Sequence, residues 1–287
     1  MNILKLLRIP QWSKNLIIFL ALIASGNYNI QFFNLITIVF IGFSLIVSAT
    51  YIVNDILDRK SDENHPSKKY RPIAMGKVSK SFAIKLSVTL LLIGKLVLSS
   101  IKFNLLFYSS LYVLVTLLYS YKIKYVKFLD ILSITFLFIV RLMIGGVALD
   151  IEISTPLFLF VFFICLGIVS SKKYSILNNN QLRDSKVKNF LIANYKNSEL
   201  EITIYTSFII SIITYFVWII LEIPILILET SSISLFLSLI IYVFIIYEMI
   251  QKTYLLETEE IIETVISNNK ILLLLLLFLF FFLLGTI

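Results

Sequence analysis

From Ile271 to Leu284 the chain reads ILLLLLLFLFFFLL, and comparable apolar runs recur throughout its 287 residues. Runs of this length constrain the fold more than any motif does. A backbone surrounded by lipid must satisfy its own N–H and C=O groups, which only helices and closed barrels achieve. The residue-by-residue alternation of a barrel strand is absent, so the chain reads as an all-α polytopic membrane protein. Nine spans are expected, at 15–31, 32–53, 82–99, 103–121, 128–148, 156–170, 202–221, 232–250 and 271–287. Several are short, which calls for tilt or local thinning of the bilayer.

The net charge of +8 raises the question of nucleic acid, and its distribution answers against it. Three bases precede the first span (Lys5, Arg8, Lys14), and seven lie between spans two and three. Three more lie between spans four and five, six between spans six and seven, and two (Lys252, Lys270) between spans eight and nine. All of these are on one side. The other side carries Lys102, with Asp150, Glu152, Glu222 and Glu229 around its turns. The positive-inside bias therefore puts the N-terminus and the basic loops in the cytoplasm and the C-terminus outside. The expected location is a bacterial inner (cell) membrane.

Cys165 stands alone within a span, which excludes a disulfide framework and a thiolate metal site. The basic start, the apolar stretch and Ala24-Ser25-Gly26 resemble a signal peptide without an A-x-A site, and are read as a retained first span. The polar segments 54–81 and 171–201 are too short to bury cores of their own, so one membrane domain, 1–287, is expected. Glu257, Glu259, Glu260 and Glu263 read as a solvated interfacial helix before the last span.

Against this background NDILDRKSDENHPSKKYRP, residues 54–72, is unusually dense in charge. If the second span continues as helix past Asn54, then Asp55, Asp58 and Asp62 share one face, with Asn54 one turn from Asp58. Carboxylates so arranged repel unless a cation neutralises them. Oxygen-only ligands suit a hard ion such as Mg²⁺, which usually completes its shell with phosphate oxygens. With His65, Lys68, Lys69 and Arg71 following, the stretch reads as a metal–diphosphate site; a charged juxtamembrane loop is the plainer alternative. His65, the sole histidine, suits a substrate contact better than a metal ligand. Arg141 lies well inside the fifth span, where charge is costly and implies a polar partner or cavity. Asp130, three helical turns earlier, projects from nearly the same face. Lys85 and Lys95 lie near the ends of the third span and are read as snorkelling.

Asn54-Asp55-x-x-Asp58-x-x-x-Asp62 resembles the first signature, NDxxDxxxD, of the UbiA-type intramembrane prenyltransferase superfamily. Three further stretches are similar to its phosphoribosyl-transferring branch: Arg8-Ile-Pro-Gln-Trp-Ser-Lys14-Asn15; His65-Pro66-x-Lys68-x-x-Arg71-Pro72-Ile73-Ala74-x-Gly76; and Tyr119-Ser120-x-x-Ile123-Lys124 with Asp130 and Arg141 beyond. The resemblance implies nine transmembrane helices around a central cavity. It also implies transfer of 5-phosphoribose from phosphoribosyl diphosphate to a polyprenyl phosphate, releasing diphosphate. Asn54, Asp55, Asp58 and Asp62 would then hold Mg²⁺ against the leaving group. Lys14, Asn15, Asn54, His65, Lys68, Arg71, Tyr119, Lys124, Asp130 and Arg141 would contact substrate. The second acidic motif of prenyl-diphosphate users, DxxxD, is absent from 171–201, where Asp184 is the lone aspartate. Ser171-Lys172-Lys173-Tyr174 stands there instead, similar to the Lys-Arg pair of the phosphoribosyl branch, so Lys172 and Lys173 join the substrate contacts. Ile176 stands near the place of an acidic residue often found after that pair.

Two other functions compete. A UbiA-type enzyme could move a prenyl group from its diphosphate to an aromatic or other small acceptor with the same first motif. A polyprenyl-phosphate carrier or flippase would need basic pockets and no acidic stripe.

Overall fold

The computed structural model describes residues 2–63, 68–179, 186–222, 230–258, 264–265 and 268–286. His65, Asp184, Glu229, Glu259, Glu260 and Glu263 lie outside them. The described residues are helical with no strand. Eight helical segments are long and apolar enough to cross a membrane, and Leu105–Tyr121 is a shorter apolar helix. The chain is an integral membrane protein. It packs as two units, Met1–Leu22 with Tyr28–Glu152, and Ile23–Asn27 with Ile153–Ile287.

The first unit opens with α1 (Asn2–Leu7), a 3-10 stretch over Ile9–Phe19 and the start of α2 (Leu20–Ala24), whose last two residues are counted with the second unit. Gly26, at φ 64°, ends this segment. The next helix, α3 (Ile30–Leu57), is capped by Asn29, whose side chain accepts from the Gln31 N–H. The first span thus lies over Leu4–Ala24 rather than 15–31. Hydropathy runs through the Gly-Asn-Tyr-Asn turn, whereas a positive φ and a cap define where the helix stops. After the short α4 (Arg59–Glu63) come α5 (Lys80–Ile101), α6 (Leu105–Tyr121) and α7 (Leu129–Leu149).

Two contacts are close because a side chain is missing. A Cβ on Gly94 of α5 would stand 2.6 Å from the Gly42 carbonyl of α3, and one on Gly145 of α7 would stand 2.1 Å from the Ile18 carbonyl. The 3-10 stretch therefore lies directly on α7. Around these contacts Ile18, Phe43, Leu98, Tyr112, Val140 and Ile144 form one core. A second, smaller core of Leu6, Ile52, Ile73 and Ala83 ties α1 and the loop after Arg71 to α3 and α5.

The second unit contains α8 (Thr155–Asn178), α9 (Lys186–Asn194), α10 (Asn197–Glu222), α11 (Thr230–Tyr254) and α12 (Asn269–Thr286). It centres on aromatic rings: Tyr215 stacks on Phe160 at 5.0 Å and on Trp218 at 6.0 Å. The hydroxyls of Tyr215 and Tyr242 hydrogen-bond Ser238 and Ser211 at 2.6 and 2.7 Å, which satisfies them inside an apolar interior. In both units large apolar residues such as Phe103, Phe107, Leu96 and Leu221 are exposed, as lipid contact requires.

Candidate functional site

The aspartate stripe survives a break in its helix. α3 ends at Leu57, Asp58 caps it, and α4 resumes at Arg59, but the Asp58 N–H still donates to Asn54 O at 2.8 Å and the Asp62 N–H to Asp58 O at 2.8 Å. The chain keeps a helical course, so Asp55, Asp58 and Asp62 stay close, and Asp55 and Asp62 are buried at 2% and 3% exposure.

Each carboxylate meets a cation brought from another segment. Arg8 donates from Nη2 to Asp55 Oδ1. Arg71 Nη1 stands 2.6 Å from Asp62 Oδ2 and 3.1 Å from Asp55 Oδ1, so one guanidinium nitrogen bridges two carboxylates. Lys124 Nζ donates to Asp58 Oδ1 at 2.8 Å. Three acids and three bases thus form a locally neutral cluster at the end of α3.

The segments that carry these bases are fixed by packing. Arg8 has left-handed backbone angles, φ 49° and ψ 46°, between α1 and the 3-10 stretch. Trp12 Nε1 donates to Ser48 Oγ at 3.0 Å and Ser48 Oγ donates to Leu7 O at 2.7 Å, pinning this corner to α3. The Arg8 guanidinium lies 4.9 Å from the Tyr51 ring centre. Arg71 follows a 3-10 turn, Lys68–Tyr70, and Ile73, buried in the smaller core, anchors its loop.

Deeper along α3 lies a cavity of about 220 Å³ in the same unit, whose lining includes Lys14, Thr50, Tyr51, Asn54, Tyr119 and Arg141. Arg141 donates from Nε to Asn15 Oδ1 at 2.8 Å, from Nη1 to Leu137 O at 2.7 Å and from Nη2 to the Tyr112 hydroxyl at 2.9 Å. Asn15, fully buried, donates in turn to Ser44 Oγ at 2.9 Å. Arg141, expected from its cost in an apolar span to have a polar partner or a cavity, has polar partners in Asn15, the Leu137 carbonyl and Tyr112, and it also lines this cavity.

Asp55, Asp58, Asp62, Arg71 and Lys124 come together in the cluster, while Lys14, Asn15, Asn54, Tyr119 and Arg141 come together around the cavity. Lys68 opens the turn that leads into Arg71. Asp130, fully buried, accepts from the Ile131 N–H at 2.9 Å at the start of α7, and it does not line the cavity. Lys172 and Lys173 belong to the second unit. They lie within the continuous helix α8 rather than a loop, and Lys173 is buried. His65 lies outside the described residues. Arg8, Tyr51, Tyr112 and Thr116 were not among the expected site residues. Tyr112 had a readable signal, since it precedes Tyr119 by seven residues and so shares its helix face.

The donor set fits a hard divalent ion. Among the described residues no three acidic, histidine or cysteine side chains converge on one point. Two carboxylates do converge, on Arg71 Nη1, and a cation already occupies the position between them. Mg²⁺ commonly takes only one or two carboxylates and fills the remainder with water and phosphate oxygens.

The described residues thus form a helical membrane protein with an acidic helix end and, in the same unit, a cavity that Lys14 and Arg141 help to line. The chain belongs to the UbiA prenyltransferase family, which matches residues 15–269. It is 31% identical over 223 residues to the decaprenyl-phosphate phosphoribosyltransferase of Mycolicibacterium smegmatis, covering 76% of this chain and 70% of that protein. It is 32% identical over 195 residues to the protein of the same name from Corynebacterium glutamicum, covering 66% of this chain and 59% of that protein. The fold is similar to that of a UbiA homolog from Archaeoglobus fulgidus bound to GPP and Mg²⁺, with a TM-score of 0.64 at 16% identity over 99% of this chain and 98% of that one.

Proposed function

We propose that this protein transfers 5-phosphoribose from phosphoribosyl diphosphate to the phosphate of a polyprenyl lipid, releasing diphosphate, in a Mg²⁺-dependent reaction. The observation that carries the reading is the single acidic motif, gathered at the end of α3 with Arg8, Arg71 and Lys124, in a chain similar to two proteins that bear the phosphoribosyltransferase name. The basic Lys172-Lys173 pair, standing where prenyl-diphosphate users carry a second acidic motif, favours the same donor.

In this reaction a lone pair on the lipid phosphate oxygen forms the new bond to ribose C1. The electron pair of the C1–O bond departs with diphosphate. Asp55, Asp58 and Asp62, with Asn54, would hold the metal, which when bound would supply positive charge to the leaving group. Arg8, Arg71 and Lys124 then have phosphate oxygens as alternative partners and stabilise the charge that develops there. Lys14, Asn15, Tyr119 and Arg141 orient a phosphorylated substrate, so much of the acceleration comes from alignment. A phosphate oxyanion needs no strong base to attack, consistent with a chain that has one histidine. The N-terminus and basic loops face the cytoplasm, the C-terminus lies outside, and one membrane domain carries the activity.

Membranes containing the protein, incubated with ribose-labelled phosphoribosyl diphosphate and polyprenyl phosphate, are expected to yield labelled lipid and to stop on chelation of Mg²⁺. Transfer of label from prenyl diphosphate alone overturns the donor. Lipid movement that persists in chelator, with no product formed, overturns the enzyme.

A further inference from the structure

Lys95 lies on α5 six residues before Ile101, about 9 Å inside the end of the helix at about 1.5 Å per residue. A lysine near a span end is expected to snorkel, and this one does not. Its Nζ donates sideways to Ser110 Oγ of α6 at 2.5 Å, and Ser110, five residues past Leu105, lies at a similar depth, about 8 Å from the start of its own helix. Helical side chains lean toward the N-terminus of their helix, which here points Lys95 away from the nearer interface.

Among the described residues this hydrogen bond is the one polar contact of Lys95, and no carboxylate pairs with it. Lys102, the other cation at this end of α5, is neutralised by Asp150. Ser110 brings no charge, and its hydroxyl already donates to Leu106 O at 2.6 Å. An ammonium group has three donors, so two of those on Lys95 remain for another acceptor. Leu92 lies one turn from Lys95, and Phe107 and Leu114 lie one turn from Ser110; they are exposed at 57%, 67% and 54%, so the groove between α5 and α6 opens onto acyl chains. A charge placed there is costly unless it is neutralised. Among the described residues nothing does so, and the surrounding lipid is the remaining source of an anion.

The length of α6 brings that source nearer. Its 17 residues span about 26 Å, short of the roughly 30 Å hydrocarbon core, and a bilayer meets such a deficit by thinning locally. Thinning beside α6 lowers the headgroups toward Lys95.

We propose that Lys95, held across the α5–α6 groove by Ser110, binds the phosphate of an anionic membrane phospholipid in the leaflet of the α5–α6 turn, with Leu92, Phe107 and Leu114 against its acyl chains. On the proposed orientation this is the outer leaflet, opposite the aspartate cluster. The site does not depend on the phosphoribosyl reading.

The purified full chain, stripped of lipid in detergent, is titrated with dioleoylphosphatidylglycerol, with dioleoylphosphatidylcholine and with geranyl phosphate, and bound molecules are counted by native mass spectrometry. Phosphatidylglycerol is expected to bind more tightly than phosphatidylcholine. Lys95→Met is expected to weaken its tightest site roughly fivefold, the scale of one lysine against an anionic surface. Lys95→Arg is expected to retain the site, and Lys85→Met, which removes an exposed lysine toward the other end of α5, to leave it unchanged. Should Lys95→Met fail to fold, Lys95→Gln carries the test. Phosphatidylglycerol binding no tighter than phosphatidylcholine, or folded uncharged Lys95 variants binding it like wild type, overturn the site. Weaker geranyl phosphate binding in Lys95→Met, with phosphatidylglycerol unaffected, gives Lys95 to the polyprenyl substrate and overturns the phospholipid assignment. A changed oligomeric mass with an unchanged lipid count makes Lys95 a contact between copies of this chain and overturns it as well. Failure of the labelled-lipid assay leaves these titrations standing.

Discussion

The aspartate cluster and the Arg141 pocket lie in one unit, share helix α3 in their walls and bury charge in opposite ways. Around Asp55, Asp58 and Asp62 every acid has a base and the group is locally neutral. Around Arg141 the partners are neutral dipoles and rings, and the cation keeps its charge. The difference separates two kinds of recognition. On the proposed function, a neutral cluster can exchange partners: the acids would turn to a divalent ion while the freed bases turned to phosphate oxygens, so metal and diphosphate would favour each other's binding. A fixed cation has no internal partner to give up and can take an anion directly.

The comparison breaks most visibly at Asp58. Its side chain is partly exposed and paired with Lys124, so Asp58→Asn removes charge without emptying a core. Turnover in the labelled-lipid assay is expected to fall on the order of 10²–10³-fold, as it does when one electrostatic stabiliser is lost. Detergent gel filtration is expected to show an unchanged particle. Activity within tenfold of wild type removes the cluster from the chemistry.

A smaller effect tests whether the pocket depends on backbone packing. Gly145→Ala places a methyl where the Ile18 carbonyl stands at 2.1 Å, and the 3-10 stretch bearing Lys14 and Asn15 must move. Overpacking of this kind costs typically about 1–3 kcal/mol. Thermal unfolding is expected to shift down accordingly, and geranyl phosphate binding to weaken more than Mg²⁺ binding, because the cluster is tied to the end of α3. Equal loss at both sites erases the distinction between the regions.

The two regions were also unequally legible in the sequence. The aspartates were readable because nine consecutive residues, 54–62, contain the whole stripe, and helical spacing alone gathers them. Arg141 was readable through its cost in an apolar span. Its partners were not: Asn15 is 126 residues away and Tyr112 is 29, and only tertiary packing unites them. Arg8 joins Asp55 across 47 residues through a left-handed corner that no periodicity reveals. Span ends were misplaced for a related reason. Hydropathy detects where apolar side chains stop, whereas α8 continues through Ser171-Lys172-Lys173 to Asn178 because no glycine or proline interrupts that turn. The first helical segment, in contrast, ends before Gly26, within a stretch that hydropathy treats as continuous.

The smallest and most discriminating change is Arg8→Met. Asp55 is paired with both Arg8 and Arg71, so removing Arg8 leaves the carboxylate one cation short without stranding it. Metal-free protein is expected to lose roughly 1 kcal/mol, as for a partly accessible ion pair with one surviving partner. Mg²⁺ alone then faces a weaker internal competitor, so its stabilising shift in the melting temperature is expected to exceed that of wild type. With Mg²⁺ and inorganic diphosphate together the order reverses, because the variant lacks one base that phosphate oxygens recruit. Melts in the three conditions separate partner exchange from a merely structural bridge. A structural bridge predicts a constant deficit in all three, whereas exchange predicts a crossing between metal alone and metal with diphosphate.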